Sequence, residues 1–552
     1  MKEKLIDLLT KSVNSLTDDF DSSQMLIERP KLLAHGDFST NIALTLAKSL
    51  KKPPREIAQL IIDHLDESEV FEKIEIAGAG FINFYLNNKA LTSIIQNILK
   101  HQERYGSNTS GQNEKIQIEF VSANPTGPLH VGHGRGAAIG DCLARLFEFS
   151  GWQVTREFYY NDAGAQIDNL TKSVMARCNH IEPSDSTFPE DGYRGDYIKE
   201  IADLYLNKEK VVCEGITIQS NGDINDEELI KKFSVATLRN EQDKDLAAFN
   251  VKFDTYTLES SFYESGAIDQ VVDTLINNQL TYTKDDALWL KTTKFGDDKD
   301  RVMKKSDGAY TYFVPDVAYH LNKWERGFKR VINEQGADHH STINRVRAGL
   351  QGLQKNIPNG WPEYVLHQMI TVMKNGEEVK ISKRAGSYVT LNDLIDEVGC
   401  DATRYFLVAR RPDSQLVFDV DLAKAQSNDN PVYYIQYAHA RIEAVLNQSG
   451  EQLTKLNQDH GYQYQTEAEK SLIKKLSEFP DLVFLACMEL APHQIANYLK
   501  DCAAEFHSYY NDSKFLVDEK QTKLGRLSLI YATQQVIKNG LRLLGISAPN
   551  KM

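Results

Sequence analysis

The chain has 552 residues, of which 41% are hydrophobic and 25% are charged. This composition excludes a disordered or fibrous protein, and no run approaches the roughly 18 consecutive apolar residues of a membrane helix. At roughly 150 residues per domain, the length predicts about three to four domains. The net charge of −14 excludes no partner by itself, because a large acidic protein can carry a local basic track.

Residues 1–110 are predicted to form a small α+β domain. Its first helix has apolar residues at helical spacing from Leu5 to Leu16, and its polar start has no signal-peptide core. A second helix, 42–50, follows the loop 35–41, and Pro54 then suits the first turn of a third helix. A glycine turn joins two predicted strands, 74–76 and 81–86.

Residues 111–420 open with a strand, a glycine-rich loop and a helix. Apolar and polar residues alternate over 115–121, and an apolar helix is predicted over 137–149 with Gly151 as its stop. This order is typical of a nucleotide-binding parallel α/β unit, so we expect a Rossmann-like parallel sheet.

The stretch of about 178–285 is polar, mixed and largely helical in pattern, and we interpret it as an insertion of unknown role. Strand-like runs return after it, at 310–314, 330–332 and 364–366. Over 421–552 helical periodicity takes over, which predicts an all-α C-terminal domain. That domain carries 14 basic and 15 acidic residues, and a nearly neutral domain on an acidic protein indicates where a polyanion binds.

The loop 122–136 carries the first candidate site. His130 and His133 are three residues apart at the start of a helix and therefore share a face. A helix N-terminus favours bound phosphate, and imidazole N–H groups can stabilise charge on a phosphoryl oxygen. Gly132, which has no Cβ, lets a nucleotide lie against the backbone. The alternative is a glycine-rich turn with two surface histidines, although His-x-Gly-His is expected by chance only about 0.02 times here.

The second candidate is the segment 380–387, in which Lys380 and Lys383 flank a serine. Alone it is weak, because most basic runs are solvated surface. Together with the histidine motif it supplies donors on two sides of one ATP, which suits displacement at phosphorus.

No structural metal is expected. The six cysteines lie far apart without a C-x-x-C pair, which argues against a zinc ribbon or a disulfide framework and fits a reducing cytoplasm. His-x-x-His without further ligands is an incomplete zinc site.

The motifs His130-Val-Gly-His133 and Lys380-Ile-Ser-Lys383 resemble the two signature motifs of class I aminoacyl-tRNA synthetases, and further segments resemble the arginyl-tRNA synthetase family. These further segments are 119–130, 160–164, 295–302, 310–320, 336–340 and 540–549. The resemblance spans nearly the whole chain, and 178–285 and 446–470 contribute least. One departure is Ile381, where methionine is commoner, but both lysines are intact.

The resemblance implies that the chain activates L-arginine with ATP and Mg²⁺ and transfers it to the terminal adenosine of tRNA(Arg), with activation waiting for bound tRNA. The catalytic residues it implies are His130, His133, Lys380 and Lys383. The implied arginine-binding residues are Glu119, Ser122, Asn124, His130, Tyr312 and Asp316. The implied ATP-binding residues are Gly132, His133, Gly336, Asp338, His339, Lys380 and Lys383.

Selection of arginine requires carboxylates, because guanidinium is planar, permanently charged and rich in donors. Glu119 lies near the end of the first strand, and Asp316 follows the strand predicted at 310–314. Taken alone, each acid is as well explained by a solvated strand face or a turn.

The tail segment 430–441 is rich in aromatic residues. Exposed aromatic rings stack on splayed bases, although packing against the catalytic domain explains each tyrosine about equally well. The resemblance makes the helical domain the anticodon reader and residues 1–110 a module at the tRNA elbow. The expected tRNA contacts are Tyr433, Gln436, Tyr437 and Arg441. We expect tRNA(Arg), L-arginine and ATP as partners, no DNA or membrane, a monomer and a cytoplasmic location.

Four alternatives differ in substrate or class. A cysteinyl relative requires thiolate-selecting zinc ligands, and a glutamyl relative requires basic residues where Glu119 and Asp316 stand. A small-molecule nucleotidylyltransferase requires no helical C-terminal domain. A non-enzymatic descendant is expected to lose histidines or lysines from the ATP site, and all four remain.

Overall fold

A small antiparallel sheet flanked by helices forms the N-terminal domain of the computed structural model, which describes residues 2–17, 20–21, 25–30, 35–65, 70–379 and 388–552. The strands lie in the order Ile27–Glu28, Phe38–Thr40, Phe81–Leu86 and Phe71–Ala77. The helices are Lys2–Asn14, Ile42–Leu50, Pro54–Asp63 and Asn88–His101, followed by the 3₁₀ turn Gln102–Arg104. The segment predicted as a loop, 35–41, therefore contains a strand, because residues 38–40 pair with 82–84.

Two basic side chains, Lys474 and Arg29, form hydrogen bonds between the N-terminal domain and a helix of the C-terminal domain. The Lys474 ammonium, on a residue only 8% exposed, donates to the carbonyls of Pro30 and Gly36 at 2.6 and 3.1 Å. Arg29 donates to the Ser477 hydroxyl at 2.8 Å. These contacts join two domains that are more than 400 residues apart in the chain.

A five-stranded parallel sheet forms the centre of the molecule. Its order is Glu363–His367, Arg330–Gly336, Lys115–Glu119, Gln153–Tyr160 and Thr255–Leu258. The strand of this sheet that comes first in the chain, Lys115–Glu119, lies in the middle, and later strands are added on both sides of it. The connections therefore reverse direction between 115–119 and 330–336. In open parallel sheets, ligands bind outside the carboxyl ends of the strands at such a switch point.

Eight helices lie between residues 131 and 352, and the first of them packs against three strands of this sheet. These helices are Val131–Phe149, Ala165–Cys178, Asp196–Leu206, Glu227–Ala248, Ser260–Glu264, Ala267–Asn277, Phe313–Glu325 and His340–Gly352, with 3₁₀ turns at Thr292–Phe295 and Ala337–His339. The helix predicted from residue 137 starts six residues earlier, because the glycine-rich run that follows His130 is itself helical.

The strand predicted at 310–314 is wrong. Tyr310 forms only an isolated bridge with Lys304, and Phe313 begins the helix Phe313–Glu325. Pro315 lies in the first turn of that helix, where the missing N–H costs nothing. Asp316 is therefore a first-turn helical residue.

The stretch 178–285 contains more than helices. A hairpin, Lys210–Cys213 with Ile216–Gln219, packs against the helix Glu227–Ala248. The strand Thr255–Leu258 forms an edge of the central sheet. The strand Thr281–Lys284 opens a three-stranded antiparallel sheet with Ala287–Leu290 and Arg301–Lys304.

A small sheet and a helical domain complete the chain. The sheet has the order Glu377–Glu378, Ile370–Lys374 and Leu416–Asp419, and the helices beside it are Leu391–Val398, Cys400–Val408 and Val420–Lys424. The C-terminal domain consists of the helices Pro431–Ser449, Leu453–Leu456, Glu467–Met488, His493–Asp512 and Lys520–Leu543. Within the described residues, no helix has the length and apolarity needed to cross a membrane.

Candidate active site

A cavity of about 560 Å³ opens at the switch point of the central sheet. Its wall includes Glu119 and Ser122 after the middle strand, Gly336 and Asp338 after the neighbouring strand, and the histidine motif at a helix N-terminus. The sheet topology thus brings together residues that are more than 200 positions apart in sequence.

His130 and His133 form a reciprocal cap on the helix Val131–Phe149. The Nδ1 atom of each ring accepts the backbone N–H of the other residue at 3.2 Å. The two rings stack with their centroids 3.5 Å apart. Because Nδ1 is an acceptor in both rings, a neutral imidazole carries its proton on Nε2 and presents that N–H as a donor.

Burial keeps both imidazoles neutral. Burial, followed by the electrostatic effect of His367, lowers the pKa of His130 to about 4. The pKa of His133 falls well below its usual value, first through burial and then through His130. The pair therefore offers N–H donors without bringing positive charge into the cavity.

Two glycines of this helix make room for functional side chains. A Cβ on Gly132 would lie 2.8 Å from Cε1 of His130, so the glycine lets that ring lie flat on the first helical turn. A Cβ on Gly136 would lie 2.5 Å from Oε2 of Glu334. Gly132 also lines the 560 Å³ cavity, as the sequence predicts for a nucleotide contact.

Lys380 and Lys383 lie outside the described residues, but the residues on either side of the segment 380–387 are described. Val379 and Tyr388 both line the 560 Å³ cavity. Residues 389–391 pair with 129–131: the N–H of Val131 donates to the carbonyl of Val389 at 3.0 Å, and the N–H of Leu391 donates to the carbonyl of Leu129 at 2.8 Å. The chain on both sides of the lysine motif is therefore held at the cavity that contains the histidine pair.

The acids of this cleft fall into two kinds. Glu119 accepts a hydrogen bond from the fully buried Lys323 ammonium at 2.5 Å, and Lys323 also donates to Asn333 at 2.9 Å. Asp316 is different, because it forms no ion pair with any residue in the described part of the chain. Burial, together with the negative charges of Glu259 and Glu119, raises the pKa of Asp316 to about 7.

Glu259 is a second acid that lacks a cationic partner among the described residues, and the sequence analysis missed it. It is 7% exposed and accepts a hydrogen bond from the Tyr159 hydroxyl at 2.8 Å. Burial raises its pKa, as does the charge of Asp162. Glu259 follows the edge strand Thr255–Leu258, which the sequence pattern did not reveal. Glu259 and Asp316 are thus two electrostatically interacting carboxylates that both lack an ion-pair partner among the described residues.

The turn after the middle strand is strained. Val121 and Ser122 have φ values of 67° and 42°, a left-handed conformation that costs about 1–3 kcal/mol for such residues. The strain aims the Ser122 hydroxyl between two neighbours: it donates to Glu119 at 2.9 Å and accepts the N–H of Tyr159 at 3.2 Å. Ser122 thus lies between the paired acid Glu119 and the residue that contacts Glu259.

The remaining predicted pocket residues are dispersed. Asn124 donates to the Gln166 side chain at 2.5 Å on the wall of a second cavity. Tyr312 is 79% exposed, so the structure does not bury its ring with the acids. Gly336, Asp338 and His339 line the 560 Å³ cavity together. The sequence analysis missed His367, whose Nδ1 lies 2.6 Å from the buried Glu334 carboxylate on the same wall.

The second cavity, of about 680 Å³, shares one wall with the first. His130, His133 and Tyr388 line both cavities. The other wall of the second cavity is polar and aromatic and includes Asn124, Gln166, Tyr193, Arg194 and Tyr197. Two ligands can therefore approach the histidine pair from opposite sides.

The aromatic residues of the C-terminal domain form a stack on a helix surface. The rings of Tyr433 and Tyr437 are 6.1 Å apart, and the Arg441 guanidinium lies 5.0 Å from the Tyr437 ring. Gln436 points inward instead: it is 9% exposed and donates to Asp401 at 2.8 Å and to the carbonyl of Ser547 at 3.0 Å. Its amide is thus already engaged within the protein.

Three family models match successive parts of the chain. They describe an arginyl tRNA synthetase N terminal domain over residues 3–86, a class I (R) tRNA synthetase catalytic domain over 94–439, and a DALR anticodon binding domain over 435–552.

Individual relatives cover the full length. The chain is 55% identical to a protein named arginine–tRNA ligase from Geotalea uraniireducens and 54% identical to one from Geobacter metallireducens, with all of each chain covered. A solved structure described as a putative arginyl tRNA synthetase from Campylobacter jejuni has a TM-score of 0.76 and 32% identity, covering 85% of this chain and all of the other. The Thermus thermophilus arginyl-tRNA synthetase has a TM-score of 0.76 at 22% identity over all of both chains, a likeness of fold.

Proposed function

The chain belongs to the arginyl-tRNA synthetases of class I, and from that membership we propose how its residues divide the work of an arginine–tRNA ligase. The enzyme activates L-arginine with ATP to arginyl-adenylate and then transfers the arginyl group to the 3′-terminal adenosine of tRNA(Arg). The family resemblance carried by the histidine and lysine motifs is thereby confirmed. The roles of individual residues in the following paragraphs are our proposal.

Arginine is selected by the unpaired acids. Asp316 and Glu259 grip the guanidinium, because a fixed cation relieves the repulsion that raises the pKa of Asp316. Glu119, already neutralised by Lys323, holds Ser122 in place, and the two orient the α-amino group. Asn124 and Tyr312 are assigned to the outer rim of the pocket.

Activation takes place in the 560 Å³ cavity. The arginine carboxylate attacks the α-phosphorus in line, and pyrophosphate leaves, so no protein nucleophile is needed. The Nε2–H groups of His130 and His133 donate to the phosphoryl oxygens as charge builds up on them. Gly132, Gly336, Asp338 and His339 bind the rest of ATP. Lys380 and Lys383 neutralise the pyrophosphate, and the position of Val379 and Tyr388 on the cavity wall supports this role.

Mg²⁺ is proposed to enter with ATP. Among the residues that the structure describes, no three His, Cys, Asp or Glu side chains form a cluster able to hold a metal ion. Mg²⁺ at such sites binds largely through substrate phosphates, where it neutralises their charge, and the exposed Asp338 carboxylate on the cavity wall is the candidate protein ligand.

Transfer takes place from the other side of the histidine pair. We place the terminal adenosine in the 680 Å³ cavity, where Tyr193 and Tyr197 offer ring surfaces and Arg194 offers a cation for the adjoining phosphate. Because both cavities share His130 and His133, the ribose hydroxyl can reach the adenylate without movement of a domain.

We propose a separate task for each of the three domains. Residues 1–110 contact the tRNA elbow, and residues 421–552 read the anticodon. Residues 111–420, with the inserted segment about 178–285, carry out catalysis. Tyr433, Tyr437 and Arg441 are proposed to stack on tRNA bases, and Gln436 supports them from within. We further propose a cytoplasmic monomer that activates arginine only with tRNA bound and has no DNA or membrane partner.

The observation that carries the residue assignment is the pair of mutually repelling acids Asp316 and Glu259, of which Asp316 also interacts electrostatically with Glu119 on the wall of the cavity that contains the histidine pair. It is tested by pyrophosphate exchange with each of the twenty amino acids, with and without total tRNA. We expect exchange with arginine and with none of the other nineteen amino acids, and only when tRNA is present. Exchange with lysine at a comparable rate would show that the acids do not read a planar guanidinium.

A further inference from the structure

The segment 124–128, here called the partition loop, forms one wall of the 680 Å³ cavity. Asn124, Thr126, Gly127 and Pro128 all line that cavity, and within the described residues none of them lines the 560 Å³ cavity. The loop leads directly into His130, so its position fixes the boundary between the two cavities.

Side chains from distant parts of the chain hold the carbonyl groups of this loop. The Gln242 amide donates to the carbonyl of Asn124 at 3.1 Å and to that of Gly127 at 2.9 Å. The Tyr197 hydroxyl donates to the carbonyl of Thr126 at 3.0 Å. The Tyr388 hydroxyl donates to the carbonyl of Pro128 at 3.1 Å. Four of the five carbonyls in the partition loop are therefore held by side chains.

Gln242 makes these two hydrogen bonds at the cost of leaving another of its own polar atoms without a partner. It is 1% exposed, and its Oε1 atom is buried without a hydrogen-bond partner among the described residues. Leaving a buried acceptor without a hydrogen bond costs folding free energy. A side chain selected only for stability would not leave one end unsatisfied, so the value of Gln242 lies in the two N–H groups that it presents to the loop.

Gly127 shows how closely the Tyr388 and Tyr197 hydroxyls approach the partition loop. A Cβ at this position would lie 2.9 Å from the Tyr388 hydroxyl oxygen and 3.2 Å from that of Tyr197. Burial raises the pKa of both phenols, that of Tyr388 to about 12, so both hydroxyls remain donors at working pH.

We propose that Gln242 and Tyr197 are positioning residues that hold the partition loop as a rigid wall against the terminal nucleotide of tRNA. The inference rests on the placement of that nucleotide in the 680 Å³ cavity. It also assigns a task to the segment 178–285, for which the sequence analysis found none: both residues lie in that segment, on the helices Asp196–Leu206 and Glu227–Ala248.

The test compares the affinity for intact tRNA with that for tRNA lacking its terminal adenosine, measured on the same protein preparation. The ratio of the two affinities does not depend on the folded fraction, so general destabilisation leaves it unchanged. The wild-type enzyme should prefer intact tRNA by about 10-fold or more, the value of one well-stacked base.

Gln242→Glu should reduce this ratio to about one, because a carboxylate turned toward two carbonyl oxygens repels the loop. Gln270→Glu, on an exposed helix surface, adds the same charge and should retain the wild-type ratio. Should Gln242→Glu fail to fold, Tyr197→Phe removes a single hydroxyl and should lower the ratio by about 3-fold or more.

A wild-type ratio of the two tRNA affinities in a folded Gln242→Glu variant, or in Tyr197→Phe, would overturn the proposed positioning role of these residues. Equal affinities for the two tRNAs in the wild-type enzyme would instead overturn the placement of the terminal nucleotide, so the two failures are distinguishable.

Discussion

Two groups of acids that interact electrostatically behave as opposites. Glu119 forms an ion pair with the buried Lys323, and Asn333 and Ser122 form further hydrogen bonds with the pair. The charges of this pair are therefore already balanced within the protein. Asp316 and Glu259 repel each other and have no ion-pair partner in the described part of the chain, and burial raises the pKa of both. The first group stabilises the fold, whereas the second stores repulsion that only a bound cation relieves. The specificity of the cleft thus depends on which acids are left unpaired.

The largest effect should come from opening the paired group. Lys323→Met should destabilise the enzyme by about 3–5 kcal/mol, because removal of one partner leaves the Glu119 carboxylate buried and uncompensated. Urea denaturation followed by tryptophan fluorescence measures this loss. The double variant Lys323→Met with Glu119→Gln should recover a large part of it, and failure to recover would mean that the pair is not a closed unit.

The unpaired group should respond in the opposite way. Asp316→Asn should lower kcat/KM for arginine by about 10²-fold or more, since it removes half of a buried charge pair, and should leave the KM for ATP nearly unchanged. The same variant should gain stability on the order of 1 kcal/mol, because it removes stored repulsion.

The size of that gain depends on pH. The pKa of Asp316 is raised from 3.8 to about 7 in the folded enzyme, so the ionised side chain costs stability above pH 7 and the cost disappears as the pH falls below 4. The matched control Asp286→Asn, on an exposed hairpin turn, should change neither stability nor arginine binding. Parallel losses in the KM for arginine and for ATP would contradict the pocket role of Asp316.

The pH profile should separate the two substrates. Below about pH 7, kcat/KM for arginine should fall by about 10-fold per unit as Asp316 takes up a proton. The same quantity for ATP should stay nearly level above pH 5, because His130, with a pKa of about 4, and His133 remain neutral. Steady-state exchange rates between pH 5.5 and 8.5 test this, and identical profiles would be incompatible with a separate acid pocket.

The smallest effect should come from the second unpaired acid. Glu259→Gln removes one of the charges that raise the pKa of Asp316, so the midpoint of the arginine profile should move to lower pH, by about one unit or less. The KM for arginine at pH 8 should rise, but by less than in Asp316→Asn. An unmoved midpoint would mean that Glu259 does not sense the charge of Asp316.

Local patterns were sufficient for the core of this account. Alternation over 115–121, the glycine-rich loop and the apolar helix identified the nucleotide-binding unit, because each depends on residues that are close in sequence. The motif His130-x-Gly-His133 indicated the donors, although the reciprocal cap that leaves Nε2 free became visible only in three dimensions.

The remainder depends on long-range contacts. The alternating residues 310–314 read as a strand, yet Pro315 suits a helical first turn and the helix prevails. Glu259 was missed because its short edge strand is recognisable only through pairing with residues 157–160. Gln436 looked like a surface donor, but its partners Asp401 and Ser547 lie 35 and 111 positions away. No local pattern records such neighbours.

The most direct test of the unpaired-acid account is the number of protons released when arginine binds, measured calorimetrically in buffers of different ionisation enthalpy with tRNA present. At pH 7 the account predicts about half a proton released per arginine, because Asp316 is half protonated before binding and ionised after it. The release should approach zero at pH 9 and disappear in Asp316→Asn. An undiminished release in that variant would show that Asp316 is not the acid that the guanidinium meets.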